Sequence, residues 1–309
     1  MKGIVYKSTG SWYILKGDDN RFHQARLKGK FKIDDITSTN PIAVGDLVEF
    51  ELENEEGGNV IITELCPRRN YVNRISPANK RMHHIIASNI DQSVLIATIK
   101  DPKTSMGFID RFLVTCEAFH IPAIVLFNKA DIYREKELNI FQERKEIYER
   151  IGYRVLLTSV SSGEGIAELK KELENRSTLF SGHSGVGKSS LINAILGDSN
   201  IRTSEVSSWS GKGMHTTTFA EMYDLPFGGK IIDTPGMREF AIADIERSEL
   251  SHYFPEMRIV LNDCQYNNCM HINEPSCAVK NAVMNGQISE ERYISYCSIL
   301  DSIKENDWT

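Results

Sequence analysis

Thr178-Leu179-Phe180-Ser181-Gly182-His183-Ser184-Gly185-Val186-Gly187-Lys188-Ser189-Ser190-Leu191-Ile192 is the stretch on which the fold turns. Its opening residues, 178–180, form a short apolar run that predicts a strand. Leu191, Ile192, Ile195 and Leu196 recur on one side of a following helix. Between strand and helix, Gly182 to Ser189 fits G-x-x-x-x-G-K-[ST], in the setting a phosphate-binding loop requires. Glycines let successive N–H groups turn inward around phosphate oxygens, and the helix N-terminus adds positive potential. Lys188 adds a full charge, and the Ser189 hydroxyl can ligate Mg²⁺. Gly182, His183, Ser184, Gly185, Val186, Gly187, Lys188, Ser189 and Ser190 are therefore the candidate phosphate-binding residues.

Outward from this loop, residues 85–240 alternate strand and helix. Strands are predicted over 92–98, Ala123–Phe127, Arg154–Leu157 and 230–232, with an amphipathic helix over 106–119 and a charged helix over 135–151. Alternation of this kind predicts an α/β fold with a doubly wound, mostly parallel sheet. Residues 1–66 read as β, with short β-branched or aromatic runs near 3–7, 12–15, 44–51 and 60–65, separated by Gly- and Asp-rich turns. About five strands in so short a stretch suggest a small barrel, OB-type or SH3-like. Residues 65–84 carry Arg68, Arg69, Arg74, Lys80 and Arg81 with His83 and His84 and no acidic residue. Such a segment, set off as a basic linker over 67–84, is either solvated or a contact for phosphate backbone.

The whole chain has 309 residues, 41% hydrophobic and 25% charged, with a formal net charge of −6. Those values fit a globular protein and exclude disordered, collagen-like and coiled-coil classes for the chain as a whole. They also exclude a globally basic nucleic-acid binder. The longest apolar run, Ala123–Phe127, is far below the ~20 residues of a membrane span, so no membrane association is expected. The first ten residues, MKGIVYKSTG, lack the apolar core of a signal peptide. The expectation is a cytoplasmic protein whose six cysteines serve as metal ligands or free thiols.

Asn128-Lys129-Ala130-Asp131 ends the strand Ala123–Phe127. A carboxylate there can accept N1–H and the 2-amino group from one edge of guanine, a donor pair that adenine lacks. Asn128 would tie neighbouring loops, and the Lys129 stem could lie over the base. Thr158-Ser159-Val160 ends the next strand, where the N–H groups of Ser159 and Val160 could reach guanine O6. Asp233-Thr234-Pro235-Gly236 follows a further strand; Asp233 could hold Mg²⁺ and the Gly236 N–H could meet a γ-phosphate. Near the C-terminus, Cys264-x₄-Cys269-x-His271-x₅-Cys277 has the donors of a closed tetrahedral Cys₃His zinc site, structural because no open position remains. Cys66, Cys116 and Cys297 read as packing residues. The 290–304 region reads as a helix, with Tyr293, Ile294, Cys297, Leu300 and Ile303 as its packing side.

The base-reading motifs precede the phosphate loop and Asp-Thr-Pro-Gly comes last, so the order is a circular permutation of the motifs of translation-factor-like GTPases. In this order and in its flanking regions the chain resembles the RsgA (YjeQ/YloQ) family of GTPases dependent on the small ribosomal subunit. The resemblance implies a permuted GTPase domain (85–240) between an N-terminal OB barrel (1–66) and a C-terminal α-helical zinc-binding domain (241–309). It implies Mg²⁺-dependent GTP hydrolysis during late maturation of the small (30S) subunit, with its rRNA as partner. A nucleotide-dependent RNA-binding switch with negligible hydrolysis is the alternative, and a monomer is the default. Gly213-Met214-His215-Thr216-Thr217-Thr218 looks like the family's switch I, with Met214 replacing a usual basic residue. By that likeness Thr217 contacts Mg²⁺ and the γ-phosphate, and His215, Thr217 and Lys188 are the candidate catalytic residues. Met237 occupies the place where Ras-like enzymes put a water-orienting Gln, which predicts slow intrinsic hydrolysis.

Overall fold

The computed structural model describes residues 1–28, 41–54, 57–75, 83–197, 220–234 and 245–303. Its first strands are β1 (Lys2–Ser8), β2 (Tyr13–Gly17), β3 (Phe22–Leu27), β4 (Leu47–Asn54) and β5 (Gly57–Leu65). β1 pairs with both β2 and β4, and β3 runs parallel to β5, so the order 1-2-3-5-4 closes on itself. This is the five-stranded barrel of the OB type, which decides between the two small barrels the sequence allowed. Alternate residues fill it: Val5, Tyr13, Leu15, Val48, Phe50 and Ile62 are buried inside.

The segment 67–84, expected as a basic linker, contains β6 (Tyr71–Ile75) and the start of β7 (His83–Ser88), which pair as a hairpin. Two of its cations are used internally. Arg68 donates through Nε and Nη2 to the two oxygens of Asp46 at 2.7 and 2.6 Å, and Asp46 is fully buried. Asp46 also accepts Ser88 Oγ at 2.6 Å, so this pair sews the barrel to β7. Stripping a buried carboxylate of its guanidinium costs about 3–5 kcal/mol. Arg68 is thus a structural tie rather than a free contact for phosphate. Arg69 Nη2 donates to Asp91 Oδ1 at 2.6 Å.

The central domain follows as β8 (Gln92–Ala97), α1 (Met106–Ala118), β9 (Ala123–Phe127), α2 (Glu135–Arg150), β10 (Arg154–Leu157), α3 (Ile166–Leu173), β11 (Ser177–Gly182), α4 (Lys188–Leu196), β12 (Glu221–Asp224) and β13 (Lys230–Asp233). Its strand order is β10-β9-β8-β11-β13-β12, parallel except at the β12 edge. Both faces are covered, which is why these strands read as continuous apolar runs. Val94, Ile96, Leu126 and Phe180 pack on one side with Leu169, Leu191 and Ile195 of α3 and α4. Leu95, Ala97, Val125 and Phe127 pack on the other with Ile109, Phe112 and Phe141 of α1 and α2. The chain therefore leaves β8 for one face and β11 for the other, and a crevice opens between their C-terminal ends. The barrel meets this sheet at its antiparallel edge, where β1 pairs with β12 and Tyr6 OH donates to Asp224 Oδ1 at 2.6 Å.

The C-terminal unit contains α5 (Pro255–Arg258), α6 (Ala278–Met284) and α7 (Glu290–Ser302). Phe254, Met257, Val279, Tyr296, Ile299 and Leu300 form its core, and Val114 of α1 packs into it. The packing side expected for the last helix is corrected at one position: Ile294 is 57% exposed, whereas Arg292 is 1% exposed. The buried face is turned because Arg292 is fully paired. It donates to Glu256 through Nε and Nη2 at 2.7 and 3.1 Å, and to Asp110 of α1 through Nη1 at 2.6 Å. Among the described residues no helix is long and apolar enough to cross a membrane.

Candidate nucleotide and metal sites

The loops that follow β9, β10 and β11 emerge at the same edge of the parallel sheet as Thr234 after β13, around the crevice. Gly187, at the N-cap of α4, has φ +91°, and a Cβ there would stand 2.5 Å from Asn128 Nδ2. Only glycine allows the phosphate loop to close on the Asn-Lys-Ala-Asp turn. Asn128 is buried; its Nδ2 donates to Val186 O at 2.9 Å and its Oδ1 accepts Thr158 Oγ1 at 3.1 Å. One amide thus joins three loops. Ala130 N donates to Thr158 O at 3.0 Å, fixing the turn against the end of β10.

Asp131 is exposed at the rim and accepts Ser159 Oγ at 2.5 Å. Ser159 Oγ in turn accepts Ser162 N at 3.2 Å, and Val160 follows half-buried. Lys129 takes a left-handed backbone, φ 67°, and its Nζ donates to Asp101 O at 2.5 Å. Ser184, Gly185, Ser189 and Ser190 are exposed, while Gly182 and Val186 are buried. Lys188 Nζ donates to Asp233 Oδ1, with both side chains about nine-tenths buried. That pair sets a cation and an anion against each other between the loop and the end of β13. Thr234 Oγ1 donates to Phe180 O at 3.1 Å and holds the start of the last motif to β11. His183 lies on the Phe108 ring of α1, centroids 3.6 Å apart and planes 29° off parallel, and burial lowers its imidazole pKa. His215, Thr217, Gly236 and Met237 lie outside the described residues.

Sequence reasoning missed Tyr133. Its hydroxyl donates to Asn128 O at 2.6 Å and accepts Ile99 N at 2.8 Å, bracing the turn from beneath. Burial pushes this phenol up to about 12, so it remains a donor. A tyrosine in the turn after an apolar strand was its only signal.

Cys264, Cys269, His271 and Cys277 bring their ligand atoms within 4.8 Å of one another. Edges of a tetrahedron with zinc-length arms are about 3.3–3.8 Å, so the donors need to close by little. Burial pushes the Cys269 thiol up to about 12, with Cys277 adding to it, so this thiol stays protonated near neutral pH unless a cation binds. Burial lowers the pKa of His271, which favours the neutral imidazole a metal ligand requires. The cluster therefore fits a structural zinc site. Its bracing was not legible beforehand. Glu274 accepts Met270 N at 2.8 Å, Ile272 N at 2.9 Å and Asn273 N at 3.1 Å, and Tyr293 OH donates to His271 O at 2.6 Å. These bonds shape the loop that presents the imidazole.

Sheet order, loop placement and motif order define a circularly permuted phosphate-loop GTPase domain, between an OB-type barrel and an α-helical cysteine–histidine unit. Residues 65–243 match the protein family described as RsgA GTPase, and residues 2–60 the one described as RsgA N-terminal domain. The chain belongs to the RsgA GTPase family. It is 51% identical over 300 residues to the small ribosomal subunit biogenesis GTPase RsgA of Cytophaga hutchinsonii, covering 97% of this chain and 98% of that one. It is 47% identical over 308 residues to the Bacteroides thetaiotaomicron protein named small ribosomal subunit biogenesis GTPase RsgA 2, covering 100% and 99%. Among solved structures it resembles YjeQ from Thermotoga maritima, with a TM-score of 0.77 and 35% identity over 97% of each chain. It also resembles YloQ, titled a circularly permuted GTPase, with a TM-score of 0.74 and 28% identity over 98% and 94%.

Proposed function

We propose that this chain hydrolyses GTP to GDP and phosphate with Mg²⁺ and acts in the cytoplasm on the small ribosomal subunit, binding its rRNA and assisting its late maturation. One observation carries the reading: the phosphate loop, the Asn-Lys-Ala-Asp turn and Asp233 gather at one sheet edge, in a permuted chain whose full-length relatives bear that name. In this reading the loop N–H groups and Lys188 hold the phosphates, and Asp131 reads guanine. Ser189, Thr217 and Asp233 would hold Mg²⁺, which would supply charge neutralisation at the transferred phosphate. Lys188, paired with Asp233 in the structure, would turn to phosphate and free Asp233 for that role. Zinc at Cys264, Cys269, His271 and Cys277 is structural. The domains are taken as 1–66, 85–240 and 241–309.

Met237, at the place of the Ras-like glutamine, favours slow hydrolysis by the chain alone, with the water-positioning group supplied by His215 or by the ribosome. Titrating purified small and large subunits separately into GTP turnover tests this. Acceleration by the small subunit alone is expected; turnover that stays flat with both would leave a nucleotide-dependent RNA-binding switch. His215→Ala should slow single-turnover hydrolysis on small subunits by about a hundredfold while GTP affinity stays within about twofold. An unchanged rate removes His215 from the mechanism.

A further inference from the structure

The start of α1 touches two different sites. Ser105 Oγ accepts Phe108 N at 3.2 Å and fixes the first turn. From that turn Phe108 stacks on His183 of the phosphate loop, centroids 3.6 Å apart. One residue earlier Gly107 faces α7, where a Cβ would stand 4.0 Å from Ser295 Oγ. Three residues beyond Gly107, Asp110 is fully buried and accepts Arg292 Nη1 at 2.6 Å and Tyr148 OH at 2.9 Å. Arg292 grips Glu256 with its other nitrogens and lies 4.7 Å from the Phe254 ring centroid. Burial lowers the pKa of Arg292, but Asp110 and Glu256 outweigh it and raise it above the ordinary arginine range.

The two ends of this bridge differ in stiffness. Sliding α1 past α7 would part Asp110 from Arg292 and leave a buried charge without its partner, so this end is the stiff one. The ring stack is softer, and the phosphate loop beyond it is exposed at Ser184 and Gly185.

We propose that α1 couples the cysteine–histidine unit to the phosphate loop. The Asp110–Arg292–Glu256 joint passes a displacement of that unit to α1, and the Phe108–His183 stack passes it to the loop. Phe108 and His183 are positioning residues: they set the loop that holds the phosphates. The proposal rests on the nucleotide reading above and adds the route by which the C-terminal unit acts on it.

The test is release of a fluorescent GDP from the full, zinc-loaded chain. His183→Ala and Phe108→Ala should each speed release about three- to tenfold, as loss of an aromatic stack implies, and Phe108→Tyr should restore it. Arg292→Lys keeps the charge but loses the fork. It should speed release comparably in the parent and add nothing in the His183→Ala background. Tyr148→Phe, which removes one partner of Asp110 and keeps the ion cluster, serves the same cycle if Arg292→Lys fails to fold. Release rates of His183→Ala and Phe108→Ala within twofold of the parent overturn the proposal, as does full additivity of the joint and stack variants. A parent that binds no GDP overturns the nucleotide reading itself, and the proposal with it.

Discussion

Asp131→Asn should lower GTP affinity by about a thousandfold or more and raise affinity for xanthosine triphosphate to a comparable degree. The carboxylate at the end of β9 offers acceptors only, matching the two donors on one edge of guanine. An amide presents a donor where guanine also has one, so the ligand's 2-amino group loses its partner and meets a like dipole. Xanthine carries a carbonyl at that position and accepts from the new amide. Asp131 is well placed for such a test, because among the described residues its side-chain bond is from Ser159 Oγ at 2.5 Å and it is exposed. The substitution therefore strands no buried charge, and the fold should melt within a few degrees of the parent. Competition of GTP, XTP and ATP for the purified chain reads the result. ATP competing as an equal of GTP in the parent, or an unchanged preference in the variant, would defeat the assignment of Asp131.

How legible was all this in the sequence? The parallel strands were, because burial on both faces makes them uninterrupted apolar runs, as in Ala123–Phe127. The phosphate loop was, because its glycines and lysine have few other uses together. β3 (Phe22–Leu27) was not: only Ala25 of its six residues is buried, so the alternation that marks a strand is diluted by His23, Gln24 and Arg26. The β6–β7 hairpin was hidden by its charge, since clustered arginines read as solvated, whereas Arg68 lies against a fully buried carboxylate. The same rule misled the reading of α7, where an arginine belongs to the core face and an isoleucine does not. For both arginines the missing signal is long-range pairing: Asp46 lies 22 residues from Arg68, and Asp110 lies 182 from Arg292. Periodicity reads local burial, and a charge buried by a distant partner leaves no local trace.

Cys277→Ser should cost the chain its bound zinc and unfold the C-terminal unit. Cys277 is buried and caps α6, its Sγ accepting Lys280 N at 3.5 Å, so a zinc bound there would be tied to a helix start as well as to the loop. The other ligands sit in irregular chain, shaped by hydrogen bonds such as those from Met270, Ile272 and Tyr293. A unit spanning little more than residues 245–303 buries too small a core to hold such loops unaided. Zinc binding contributes roughly 10–16 kcal/mol in comparably small modules, against about 5–15 kcal/mol for a whole domain's stability. Removing one thiolate should therefore drop zinc from one ion per chain to under about a tenth, and a new early unfolding transition should appear in calorimetry. Chelation of the parent should produce the same transition. The nucleotide domain has its own two-faced core and should still melt cooperatively, but at a lower temperature, because Val114 and Asp110 of α1 lose their cover. Full zinc loading in the variant, or a chelated parent that melts unchanged, would remove the metal from the account of this unit and leave its four ligands as ordinary buried side chains.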